Sequence, residues 1–190
     1  MLRGERYGAP SDCWAVLVHE EGRDLDGWRG LVRRLLELDL AVLAFDLAGH
    51  GASDDPWEPV RVPADVVTAL RFGQSQGAKS ICVVGAGAGA TAALAAAGVV
   101  EVQAIVALSP RAELDGLAPE AIRETLAPKL IIVGSRDPVA AAEADDVFRR
   151  STGWSLLQSL PTELQGTALL GSPWAEQVAE STLAFLRDYL

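Results

Sequence analysis

The sequence predicts an α/β fold: a mainly parallel sheet with helices on both faces. Three observations predict it. Short runs rich in Val, Ile, Leu and Ala alternate with helix-period segments along the whole chain. The loops between them are short and polar. Apolar residues make up 49% of the chain but aromatics only 6%, a balance that suits parallel strands covered by small-residue helices.

The elements follow in order. Residues 1–11 carry little signal. Residues 13–19 are an apolar run, read as a buried strand, and 20–24 are a charged loop. A helix is expected over 26–38, with Trp28, Leu31, Val32, Leu35 and Leu36 on one face and Asp26 as N-cap. Residues 40–45 form a strand and 46–56 a glycine-rich loop. Pro63 opens a helix reaching about residue 76. Residues 81–84 form a strand, and an alanine-rich helix follows the glycines at 85, 87 and 89. Strands are expected at 102–108 and 130–134, with one short helix within 110–128. Asp137 and Pro138 open a helix to about residue 150. Residues 154–157 make a sixth strand, and Ser172-Pro173 starts a final helix ending near 189. No repeat or linker interrupts the chain, so 1–190 reads as one domain.

Charge narrows the function. Sixteen basic and 26 acidic residues give a net charge of −10, which argues against nucleic acid and anionic membrane as partners. No leader-like segment and no run of membrane-spanning length is visible, so a soluble, cytoplasmic protein is expected. Cys13 and Cys82 read as reduced core thiols. Two histidines and two dispersed cysteines make no zinc pattern, so no metal and no cofactor are expected.

The chain is organised around residues 81–94, where a strand turns sharply into a helix. Such a joint exposes whatever sits at its tip, and the helix N-terminus favours negative charge there. The tip is Gly87, which has no side chain. In such sheets ligands bind beyond the C-terminal strand ends. Those ends carry His19, residues 46–53, Gly85 to Gly89, Ser109 and Asp137.

These segments resemble the α/β-hydrolase family over nearly the whole chain. Val16-Leu17-Val18-His19 is similar to the strand and histidine leading into the family's oxyanion loop. Asp46-Leu47-Ala48-Gly49-His50-Gly51-Ala52-Ser53 matches the D-x-x-G-H-G-x-S loop in full. Gly85-Ala86-Gly87-Ala88-Gly89 stands at the nucleophile elbow, G-x-S-x-G. Asp137 stands in the loop of the triad acid, and Gln165-Gly166 where the family places His-Gly. The resemblance implies a three-layer sandwich of about six mainly parallel strands. It also implies no lid domain, as in the small dienelactone-hydrolase-like members, with the family's first antiparallel strands shortened or absent.

Two of the three catalytic positions depart from the pattern. Gly87 replaces the nucleophile and Gln165 the histidine; only Asp137 remains. Triad chemistry needs a hydroxyl or thiol to attack and an imidazole to take its proton. A glutamine can copy an imidazole's hydrogen bonds but cannot accept a proton near pH 7. Losing the nucleophile or the histidine costs on the order of 10⁶ in kcat. Glu20-Glu21 follow His19 where the family has glycine, and carboxylates there would oppose an oxyanion. A pseudohydrolase acting through ligand or partner binding is therefore expected. The pocket and oxyanion region would comprise His19, Glu20, Glu21, His50, Ala88 and Ser109, with Gly87, Asp137 and Gln165 as vestigial triad positions.

Each residue also has a plainer role. Asp137 caps its helix, or accepts a hydrogen bond from the Gln165 amide. His19 and His50 pin loops. Ser109 bonds its own loop, Glu20 and Glu21 are solvated charges, and Trp57 either lines the pocket or packs on the core. Two other functions remain open. One is an esterase-like enzyme with an atypical site, using His50 or His19. The other is a dinucleotide binder, because Gly85 to Ala90 fits G-x-G-x-x-A between strand and helix. Against the latter, two strand–helix units precede the motif. Partners would be a small molecule or a protein of unknown identity, and the final helix or a sheet edge is compatible with a homodimer.

Overall fold

The computed structural model describes residues 1–115 and 125–190. It contains one sheet of seven strands: β1 (Arg3–Tyr7), β2 (Cys13–Val18), β3 (Ala41–Asp46), β4 (Ser80–Ala86), β5 (Ala104–Leu108), β6 (Lys129–Gly134) and β7 (Ser155–Leu160). Their spatial order is β1-β3-β2-β4-β5-β6-β7, and only β1 runs antiparallel. The helices are α1 (Arg29–Leu35), α2 (Val62–Ser75), α3 (Gly87–Ala96), α4 (Pro138–Arg150) and α5 (Ala175–Arg187).

Period-two alternation splits the apolar residues between two cores. Trp14, Val16 and Val18 pack with Val66 and Leu70 of α2, Leu94 of α3 and Val147 of α4. Ala15 and Leu17 pack on the other face with Trp28, Leu31 and Leu35 and with Val178 and Leu183 of α5. The result is a three-layer sandwich with β2 and β4 at its centre. The expected parallel sheet and its covering helices are present.

Three expectations are corrected. The described residues form seven strands, not about six, because residues 3–7 form the antiparallel β1. Its residues are mostly exposed and charged, so no apolar pattern announced it. The helix cap before α1 is Asp24, not Asp26: its side chain accepts from the Asp26 backbone N–H at 3.0 Å and starts a 3₁₀ turn over Leu25–Trp28. The last strand runs on to Leu160 rather than ending at 157. The short helix expected within 110–128 falls largely on 116–124 and lies outside the described residues. The stretch between β5 and β6 is too short for a lid domain.

The N-terminal end of β6 is closed by Lys129. Its buried ammonium donates to the carbonyls of Thr125, Ala127 and Thr152 at 2.9, 2.7 and 2.7 Å. The opposite, C-terminal ends of the strands are where the polar loops gather.

Candidate functional site

The joint between β4 and α3 places Gly87 at φ +50, a left-handed conformation that a residue with a side chain adopts only under strain. The three glycines of this turn each serve a close approach. A Cβ on Gly85 would run into the backbone of Ala90, and one on Gly89 into the carbonyl oxygens of Val18 and His19. These contacts seat the helix on β2 and β4. A Cβ on Gly87 would lie 2.7 Å from the Cβ of Glu20. The room beside each of these glycines is thus taken by neighbouring atoms of the protein. The glycines fit a tightly packed strand-to-helix elbow.

Glu20 is the residue whose role the sequence hid. It is half-buried, not a solvated loop charge. Its Oε1 accepts from the backbone N–H of Thr167 at 3.0 Å and from the Thr167 hydroxyl at 2.7 Å. Its Oε2 is buried and has no hydrogen-bond partner among the described residues. Gly166, at φ +55, makes way for it: a Cβ there would come within 2.8 Å of Oε1. The side chain therefore stands between the elbow and the 165–167 turn, the space across which a nucleophile and its base would have to meet. Its partner lies 147 positions away, which no local pattern reveals.

Gln165 turns elsewhere. Its Oε1 accepts from the Ser109 hydroxyl at 2.6 Å and from the Gly134 N–H at 3.2 Å, and its Nε2 donates to the Gly134 carbonyl at 2.9 Å. No hydrogen bond joins it to Asp137 among the described residues, so in place of the alternative Asp137–Gln165 bond there is a clamp on the end of β6. Asp137 takes the capping role, accepting from the N–H groups of Val139 and Ala140 at 3.0 and 3.1 Å. Ser109 sits at the end of β5 with φ +49. Its hydroxyl also accepts from the Gly166 N–H at 3.0 Å, so it ties β5 to the 165–166 turn.

The histidines brace loops. His19 is fully buried. The Leu47 N–H donates to its Nε2 at 2.9 Å, so the proton sits on Nδ1, which faces the Glu20 carbonyl at 2.8 Å. Burial pushes its pKa below the ordinary imidazole value of 6.5. The sign follows directly. The unfolded chain takes up this proton before the folded one, so the His19 contribution to stability is complete above pH 6.5 and is lost as pH falls below it. The loss is at most about 1.4 kcal/mol per pH unit for one proton. Denaturant midpoints measured from pH 8 to pH 5 should fall on the acid side, and His19→Gln should flatten that fall. His50 accepts from the Gly22 N–H at 3.0 Å and stacks edge-on against Trp57 at 4.5 Å. Trp57 itself donates to Glu21 at 3.2 Å, and Glu21 pairs with Arg111 at 3.7 Å across the mouth.

What remains open is a shallow cleft of about 320 Å³ whose lining includes Glu20, Gly87, Ala88, Ser109, Arg111 and Gln165. It brings together the expected site residues apart from His19, His50 and Asp137, which serve the loops and α4. Among the described residues no group of His, Cys, Asp and Glu could hold a metal ion. No helix among them is long and apolar enough to cross a membrane.

Known proteins share both the pattern and the architecture. Lipase LipV of Mycobacterium tuberculosis is 34% identical over 146 residues, which cover 74% of this chain and 52% of LipV. The chain thus spans about half the length of that relative. The fold matches a monoacylglycerol lipase of Paleococcus ferrophilus with a TM-score of 0.83 at 16% identity, each chain covered in full. It matches a dienelactone hydrolase of Anabaena variabilis with a TM-score of 0.80 at 23% identity, covering 100% of this chain and 92% of that one. Sequence features of the Alpha/beta hydrolase family are matched over residues 8–186, nearly the entire sheet and its helices, and the chain belongs to that family.

Proposed function

We propose that this chain is a non-catalytic α/β hydrolase that acts by binding a small molecule or a protein partner at the cleft over α3. One observation carries the reading: the Glu20 side chain packs on the elbow where a nucleophile would stand. Three facts support it. Gly87 offers no attacking atom. Gln165 cannot accept a proton and is committed to Ser109 and Gly134. The carboxylate of Glu20 occupies the region where an oxyanion would need donors. The cleft is at the small end of ligand sites, and its mouth is polar, with the Glu21–Arg111 pair on one side.

The purified chain should not hydrolyse short p-nitrophenyl esters above the rate of heat-denatured protein, nor should a fluorophosphonate probe label it. Labelling would overturn the proposal. A second reading has one observation behind it: Ser109, a hydroxyl on strained backbone within the cleft. An ester hydrolase working through Ser109, as the lipase name of the LipV relative invites, would label at that residue and lose the label in Ser109→Ala. Gln165 argues against it, because the hydroxyl donates to an amide oxygen that cannot carry the proton away.

A further inference from the structure

A second hollow lies away from the strand ends, on the flank of the sheet between β1, β3 and α2. It measures about 500 Å³ and is walled by Leu2, Leu43, Phe45, Ala69 and Phe72. Apolar walls around a space of this size are the pattern of a small-molecule pocket. Thr68 stands at its rim but donates its hydroxyl to the Ala64 carbonyl at 2.8 Å, so it brings no donor to the pocket. Small residues leave the space open: Gly4 opposite Phe45 has no side chain, and Ala69 has only a methyl group.

The strand register sets the chemistry of one end. β1 pairs with β3 so that Gly4 stands opposite Phe45 and Arg6 opposite Leu43. Residues paired across a ladder share a face, so Arg6 stands on the pocket's side of the sheet, and Arg3 and Glu5 on the other. The Arg6 guanidinium lies 5.7 Å from the Trp14 ring, and that ring meets the Phe72 ring edge-on at 6.4 Å. The cation is thus anchored beside a wall of the pocket. A guanidinium held over a ring keeps its N–H groups for an acceptor. Among the described residues Arg6 has neither an acceptor nor an ion-pair partner for that group. The carboxylates nearby are engaged: Asp12 pairs with Lys79 at 2.6 Å, Asp54 with the Met1 ammonium at 2.7 Å, and Glu5 accepts from the Tyr7 hydroxyl.

We propose that this pocket binds an amphiphilic acid, a hydrocarbon body ending in one carboxylate. The body covers Leu43, Phe45, Ala69 and Phe72, and the carboxylate accepts from the Arg6 guanidinium. A cationic head would meet Arg6 and no free carboxylate. At ordinary ionic strength charges beyond about 10 Å are screened, so the chain's net charge of −10 acts weakly at this spot.

Displacement of anilinonaphthalene sulfonate, itself an aromatic anion, tests it, with decanoate, decanol and decyltrimethylammonium as competitors below their micelle concentrations. The wild type should bind the dye saturably, and decanoate should displace it best. Arg6→Gln should weaken decanoate about five- to tenfold and leave decanol nearly unchanged. Arg187→Gln, an equal loss of charge at the end of α5, should alter neither. Thr68→Trp, at an exposed position on the rim, should fill the pocket and abolish displaceable binding with unchanged far-ultraviolet circular dichroism. Absence of saturable dye binding, decyltrimethylammonium competing as well as decanoate, or folded Arg6→Gln and Thr68→Trp proteins that bind decanoate like the wild type would overturn the proposal.

Discussion

Gly87→Ser is expected to destabilise the chain by about 2–5 kcal/mol, and Glu20→Gly, not Glu20→Ala, is expected to relieve much of that loss. Two costs combine. A side chain at φ +50 costs about 1–2 kcal/mol of backbone strain. The new Cβ would also sit 2.7 Å from the Cβ of Glu20, and overpacking of this kind costs about 1–3 kcal/mol. The clash is with the first carbon of the side chain, not with its flexible end, so rotation cannot remove it. Alanine at 20 retains that carbon and glycine does not. In the Glu20→Gly background the serine should therefore cost only the backbone strain. A double-mutant cycle from urea midpoints should read a coupling of about 1–3 kcal/mol. Equal costs in both backgrounds would show that Glu20 and position 87 do not compete for space. Any attempt to build a nucleophile into this elbow must begin at Glu20.

Asp46→Ala is expected to cost about 3–6 kcal/mol, from two charge-assisted hydrogen bonds worth about 1.5–3 kcal/mol each. The carboxylate is 3% exposed at the end of β3. Its Oδ1 accepts from the Leu25 N–H and its Oδ2 from the Ala52 N–H, both at 2.8 Å. It thereby holds the loop before α1 to the glycine loop that carries His50. Gly51 has no room for a Cβ because this carboxylate fills the space. Asp46→Asn is the sharper probe. An amide keeps one acceptor and turns an NH₂ toward a backbone N–H, so it should recover little of the loss. Thermal unfolding of the two variants would decide it: near-wild-type stability for asparagine would mean that only one of the two bonds matters.

How far these features were legible depended on whether they were local. The glycine turn, the Asp137 cap and the alternation of strands and helices are written in neighbouring residues, and each took its expected place. β1 was not legible because an edge strand paired on one side has no apolar face to announce it. The role of Glu20 was hidden for a different reason. Glu20-Glu21-Gly22-Arg23-Asp24 has the composition of a solvated loop, and only folding brings Thr167 to the carboxylate. Gln165 was recognised as the residue standing at the histidine position, but its attachment to Ser109 and Gly134 depends on three strand ends converging.

The cap on α4 bears on how such chains change over time. Asp137 bonds the first free N–H groups of a helix that begins with proline, a contact worth about 1 kcal/mol whether or not any substrate is turned over. Selection for a folded chain alone would keep a capping side chain there, an aspartate among them. Where a nucleophile and a base can drift once turnover no longer matters, this residue cannot drift as freely. An aspartate at this place in the fold therefore records the needs of a helix, and its survival says nothing about whether the site around it is alive.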